Sequence, residues 1–191
     1  VLWTFKFSSG EVNMEVGEDI VCLFNDASAA LLDSDKNPLF TIPASDFVIS
    51  EVVCGRQSVA LLCTIEGDAT QYLRVFDAAG TELDRIDISD ASILKFGFYG
   101  ENDALWYLTL DTTGAVPISR VHTALPSQQL MTGLYEVYGQ LVSDVCFSGS
   151  DIYITNATSL TSYDTFGEEI SEWLIYGSKL ADSMATKNDL I

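Results

Sequence analysis

Asp33-x-Asp35-x-Asn37 places three side-chain oxygens at the alternate spacing with which calcium loops gather ligands around one ion. Such a loop also needs a glycine to turn it and a carboxylate to close it, and the residues that follow here are Pro38 and Leu39. The segment therefore reads as an acidic hairpin turn. His122 is the single histidine. With no His, Cys or paired carboxylate near it in sequence, it reads as a turn residue at the end of a strand rather than a base or a ligand. Zinc would need more nitrogen and sulfur ligands than this chain can gather without its core cysteines. Carboxylate pairs such as Glu168-Glu169, or Asp87 with Asp90, resemble a glycosidase acid and nucleophile only if they face each other across a cleft. In sequence they fall in outer turns, where solvation is the expected state. No catalytic, cofactor-binding or metal-binding residue is assigned, and no cofactor is expected.

The charge narrows the partners. Twenty-eight acidic residues face nine basic ones, for a net charge of −19, and the basic residues are scattered without a cluster. Nucleic-acid binding depends on cationic patches that displace counterions from phosphates, so neither DNA nor RNA is expected as a partner. Contact with an anionic membrane surface is disfavoured on the same ground. Strong acidity suits solubility in a salty or exposed compartment, or a cationic partner. No apolar run approaches the roughly 20 residues that span a bilayer. The chain begins at Val1 rather than Met, which carries the expectation that it is a processed product or a part of something longer, from which a targeting or anchoring segment has been removed.

Four cysteines, Cys22, Cys54, Cys63 and Cys146, would allow two disulfides. Cys22, Cys63 and Cys146 lie within apolar strands, where cysteine behaves as a small hydrophobe. If residues 55–58 form a hairpin turn, Cys54 opposes Val59 and Cys63 falls nearer Ser50, so these two are not cross-strand neighbours. Reduced, buried thiols are expected.

The elements that would position any site follow a repeat. Asp33, Asp77, His122 and Asp164 lie 44, 45 and 42 residues apart, each between a short apolar strand and an outer strand. A period of 40–45 residues built from strands alone is the signature of β-propeller blades. The expected fold is all-β: a propeller of about four complete four-stranded antiparallel blades at 11–43, 47–89, 92–132 and 140–176. The second blade reads as strands 48–53, 58–63, 71–76 and 82–88. Residues 59–62 are continuously apolar, as in a strand buried on both faces, while 82–88 alternate as a half-exposed outer strand does. In the third blade the expected strands are 93–98, 104–110 and 116–121, with a degenerate outer segment around 129–132. Residues 1–10 and 177–191 read as partial blades, one strand's worth from each end. That reading makes the chain a segment of a larger propeller, with unpaired strand edges open to self-association.

Phe76-Asp77-Ala78-Ala79-Gly80-Thr81-Glu82-Leu83 resembles the repeat of bacterial quinoprotein-like and WD-type propellers, in which an Asp, a Gly and an apolar residue mark the hairpin before the outer strand. Tyr163 to Ile170, with Trp173 beyond, is similar. Residues 32–39 are a looser copy, with Asn37 expected in the left-handed conformation where the others have Gly. The resemblance implies either quinone-dependent dehydrogenases or non-enzymatic scaffolds, including bacterial cell-surface propellers. This chain has no vicinal cysteine pair and no matching Glu, Asn and Asp metal set, which favours the scaffold branch. The expected function is a non-catalytic extracytoplasmic propeller that serves as a scaffold for a protein or cell-envelope partner. The alternative is a carbohydrate-active or carbohydrate-binding propeller with part of its site in further blades. Tyr135 and Tyr138 are the candidate partner contacts, because they fall in what reads as the long connection between the third and fourth blades.

Overall fold

The computed structural model describes residues 11–65, 67, 70–149, 151–164 and 169–174. The chain divides into two compact units, residues 1–88 and 89–191. Each unit holds two four-stranded antiparallel sheets in which every strand pairs with the next in sequence. In the first unit these are β1 (Asn13–Val16), β2 (Ile20–Asn25), β3 (Ser28–Asp33) and β4 (Pro38–Pro43), then β5 (Val48–Cys54), β6 (Ser58–Thr64), β7 (Gln71–Asp77) and β8 (Glu82–Ile88). In the second they are β9 (Ser92–Tyr99), β10 (Ala104–Asp111), β11 (Ile118–Leu125) and β12 (Leu130–Tyr138), then β13 (Val142–Ser148), β14 (Asp151–Asn156), β15 (Ser159–Tyr163) and β16 (Glu169–Leu174). One short 3₁₀ turn, Pro126–Gln128, joins β11 to β12. The partial blades expected at 1–10 and 177–191 lie outside the described residues.

Burial follows the pattern of the side chains. In β2, Ile20, Cys22 and Phe24 share one face and are all buried, as a period of two requires. The continuous run Val59 to Cys63 of β6 is buried on both faces, whereas β8 is mostly half-buried or exposed. The first unit buries Ile20, Leu31, Ile49, Val52, Val59, Leu61 and Phe76 in one cluster, drawn from both of its sheets. The second does the same with Leu108, Val121, Tyr135, Val142, Val145, Ile152 and Ile154. A four-stranded meander cannot bury an apolar face by itself, so each sheet depends on its neighbour in the unit. Each fully buried aliphatic side chain adds on the order of 1.5–3 kcal/mol to that association.

The hairpins explain the periodic acids. Asp33 Oδ1 accepts the Asn37 amide at 2.8 Å, and its Oδ2 accepts the Asn37 side-chain amide at 3.0 Å. Asp77 Oδ1 likewise accepts the amides of Ala79 at 2.9 Å and Thr81 at 2.8 Å. The backbone of both turns closes in the same way, Lys36 N to Asp33 O at 2.9 Å and Gly80 N to Asp77 O at 3.1 Å. The left-handed residue is thus Lys36 (φ 68°), the counterpart of Gly80 (φ 87°), and not Asn37 as the sequence suggested. Asn37 instead supplies the amide that the carboxylate holds.

The third blade departs from expectation. Its turn closes from Gln129 N to Pro126 O at 3.0 Å, with Gln129 left-handed, so the counterpart of Asp33 and Asp77 is Pro126 and not His122. The outer strand is not a degenerate stretch ending at 132 but the nine residues of β12, reaching Tyr138. Tyr135 and Tyr138 are consequently strand residues and not part of a connection. Gly133 lies inside β12 because a Cβ there would meet Thr123 Oγ1 at 2.7 Å and the Tyr135 ring at 3.1 Å.

Candidate functional site

In the second unit the β9–β10 turn, the facing ends of β11 and β12, and the β13–β14 turn enclose a cleft of about 400 Å³. Its apolar lining comes from Tyr99, Ala104, Leu125, Tyr135 and Ile152, and its polar groups are Glu101, Asn102, Thr123 and Thr132. Gly100 (φ 68°) and Gly149 (φ 62°) turn the two tight loops at its edge. Asp103 is also left-handed, at φ 48°, which completes the sharp entry into β10. A second cavity of about 380 Å³ shares Tyr99, Gly100 and Gly149 with the first and is lined by Trp106, Val145 and Phe147. The Tyr99 and Phe147 rings stack at 4.0 Å between centroids and 11° between planes; Tyr99 lines both cavities and Phe147 the second.

Tyr135 belongs to this cleft, but not as an exposed contact. Its side chain is 5 % exposed. Its hydroxyl donates to the Asp164 carbonyl oxygen at 3.3 Å, and its ring tilts against Tyr163 at 5.2 Å. Burial first, then the neighbouring Tyr99 and Asp164, raise its pKa and hold the phenol protonated. The two candidate contact tyrosines therefore do not form one exposed pair. Residues 135 and 138 are three apart on a strand, so they face opposite sides of the sheet, and only Tyr138, at 60 % exposure, presents itself to solvent. The Tyr138 hydroxyl donates to Glu136 Oε2 at 2.7 Å. Glu136 Oε1 accepts Arg120 Nε at 2.7 Å, and Arg120 Nη1 reaches Asp111 Oδ2 at 3.0 Å. This chain of charges ties β10, β11 and β12 together on one face. The Thr113 hydroxyl and amide, reinforced by Arg120, lower the Asp111 carboxyl to about 2. Arg120, followed by Tyr138, lowers that of Glu136.

His122 is not a turn residue. It lies within β11 directly opposite Tyr107, and the two rings stack at 4.4 Å and 3°. Its Nε2 shares a hydrogen bond with Thr109 Oγ1 at 3.3 Å. Burial, with the Arg120 charge behind it, lowers the imidazole to about 4 and leaves it neutral. It is a packed strand residue that does not line the cleft. The Asp33 carboxylate is occupied by Asn37, whose side-chain and backbone amides lower its pKa. Among the described residues, no three His, Cys, Asp or Glu side chains converge as a metal site. Asp87 and Asp90 lie at the end of β8 and just past it, Glu169 opens β16, and Glu168 is outside the described residues.

Sequence reasoning missed the cleft because its walls come from three separated stretches, near 99–104, 123–135 and 149–152. It also missed a second repeat marker. Asn25 Oδ1 accepts the amides of Ala27 at 3.0 Å and Ser28 at 2.9 Å, and Asn156 Oδ1 accepts those of Thr158 at 2.8 Å and Ser159 at 2.9 Å. The matching Asn-x-x-Ser strings at 25–28 and 156–159 were the available signal.

No protein-family profile and no curated protein sequence matches the chain. Solved structures do match in shape. A computationally designed protein, Ika8, superposes with a TM-score of 0.64 at 13% identity over 93% of this chain and 53% of its own. AztD from Citrobacter koseri, solved in its apo form, gives 0.61 at 11% identity over 87% of this chain and 47% of its own. The dihydro-heme d1 dehydrogenase NirN gives 0.57 at 11% identity over 86% and 37%. The chain thus spans about half or less of the length of these structures. At such identities the likeness establishes the fold alone: a β-propeller of four-stranded antiparallel blades.

Proposed function

We propose that this protein is a non-catalytic propeller scaffold that engages a protein or cell-envelope partner through the cleft at the turn end of its third and fourth blades. The observation that carries the reading is the cleft itself. Its volume of about 400 Å³ falls in the range of binding pockets, and its walls are mostly apolar with a few polar groups at the turns. Its hydroxyl groups serve neutral contacts, with Thr132 donating to Thr123 Oγ1 at 2.9 Å and Tyr135 donating to a backbone carbonyl. Among the described residues Glu101 is the one carboxylate in the lining, where an acid and base pair would need two. An extracytoplasmic setting is part of the proposal and rests on the resemblance of the 76–83 repeat to bacterial surface propellers.

A carbohydrate ligand is the second reading, favoured by the Tyr99 and Tyr135 rings in the cleft lining, since sugar rings lie against aromatic faces. That NirN is a dehydrogenase carries no weight here, because its likeness is one of fold. The test selects a displayed peptide library and screens an oligosaccharide array against the wild-type chain and Asn102→Trp, which places a bulky ring at the cleft mouth on an exposed turn. Peptides retained by the wild type and lost with Asn102→Trp support the scaffold. Oligosaccharides lost in the same way shift the reading to carbohydrate. Ligands held equally by both proteins, or none at all, remove the cleft from consideration.

A further inference from the structure

Cys22 and Cys54 come from different blades of the first unit. Cys22 pairs with Glu15 across the β1–β2 ladder, and Cys54 Sγ donates to the Glu15 carbonyl oxygen at 3.8 Å. The two cysteines thereby converge on the same residue, with the Cys22 thiol turned to the Leu23 carbonyl oxygen at 3.9 Å. The approach of the blades is tight at this point. A Cβ on Gly17 would collide with the Gly55 carbonyl oxygen and come within 2.9 Å of Cys54 Cβ. Both cysteines pack in the same apolar cluster, Cys22 fully enclosed and Cys54 half-buried. Nothing in strand pairing or turn chemistry requires two thiols here. Two cysteines that converge on one residue where adjacent blades approach this closely need only side-chain rotation to come within reach of a disulfide.

We propose that Cys22 and Cys54 are a redox-closable pair that staples β2 of the first blade to β5 of the second. The oxidant is a small-molecule disulfide such as oxidised glutathione. Cys54, the less buried of the two, loses its proton and attacks one glutathione sulfur, forming a mixed disulfide and releasing one glutathione thiolate. Cys22 then gives its proton to solvent and attacks the Cys54 sulfur. The protein disulfide forms, the second glutathione thiolate leaves, and two protein thiols have been oxidised while one glutathione disulfide has been reduced to two thiols. The second step is slow. The neighbouring Cys54 thiol and burial raise the Cys22 pKa strongly, so its thiolate is scarce. The pair is therefore a dithiol in a reducing compartment and closes over long exposure in an oxidising one.

Trypsin separates the four cysteines, since Lys36, Arg56, Arg74 and Arg120 fall between them. The full chain is held in oxidised glutathione, unfolded, alkylated and digested. Cross-linked peptides 7–36 and 37–56 are expected, with Cys63 and Cys146 alkylated. The oxidised chain should melt on the order of 5 °C above its reduced form. Cys22→Ser should trap glutathione on Cys54 and abolish both the cross-link and the rise, and Cys54→Ser should leave Cys22 reduced. The proposal is overturned if glutathione remains on Cys54 of the wild type at equilibrium with Cys22 still alkylatable. A cross-link from Cys54 to any other cysteine, or oxidation of Cys22 in Cys54→Ser, overturns it equally.

Discussion

His122 offers a clean probe of this fold because it is the single histidine and sits against Tyr107, Thr109 and Arg120 inside one sheet. Its imidazole falls from 6.5 to about 4 on folding, through burial and the Arg120 charge. The unfolded chain therefore takes up a proton near pH 6.5 that the folded chain refuses until about pH 4. Stability from the neutral ring is complete above pH 6.5, is lost as the pH falls, and stops falling below pH 4. Between pH 7.5 and 5 the two pKa values correspond to about 2 kcal/mol, which the ring's partial exposure reduces to about 1–1.5 kcal/mol. This window lies above that of the lowered carboxylates Asp111 and Glu136, whose contribution persists until their unfolded values of 3.8 and 4.5 are approached. Urea unfolding at pH 7.5 and 5 should show His122→Phe losing about 1 kcal/mol less than the wild type. Histidine proton shifts should titrate with a midpoint well below 6. A midpoint at or above 6.5, or equal losses in both proteins, would refute the burial argument.

Leu61 is fully enclosed in the first unit, and Leu61→Ala should cost about 2–5 kcal/mol in urea unfolding, against under about 1 kcal/mol for Leu39→Ala, which is 39 % exposed. A loss below 1 kcal/mol at Leu61 would mean the blades do not pack as described. A Cβ at Gly97 would lie 2.9 Å from Trp106 Nε1, so Gly97→Ala should displace the indole, shift tryptophan emission and cost about 1–3 kcal/mol; unchanged emission and stability would contradict the contact. Because Asn37 occupies the Asp33 carboxylate, thermal melts with and without EDTA should superpose, and a shift of several degrees on chelation would reinstate a metal at Asp33 and Asp35.

The repeat was legible wherever local chemistry was strong. Gly80 and Asp77 announce their turn, and the bounds of β8 match the sequence reading because alternation and flanking turns agree there. The third blade was obscured for three physical reasons. Its turn is built by proline and a left-handed glutamine, neither of which carries the Asp and Gly signal. Its outer strand contains Gly133, required by close packing against Thr123 and Tyr135 but indistinguishable in sequence from a loop residue. Its ladder also shifts register at Thr123 and Ala124. Tyr135 was picked out for its place in a supposed connection and does line the cleft, but its burial is set by packing against Tyr163 that no local pattern encodes.

The pairing of strands with their sequence neighbours inside each sheet has a consequence for how the protein is made. Each sheet grows by closing hairpins of a few residues, so the entropy lost per closure is small and no early strand must wait for a distant one. A chain emerging from the ribosome can complete its first sheet before the second has been synthesised. The apolar faces then stay uncovered only for the time needed to make one further blade, about forty residues, or some seconds at ordinary elongation rates. Synthesis speed through 44–88 therefore sets how long the Ile20, Cys22 and Phe24 face remains open to aggregation.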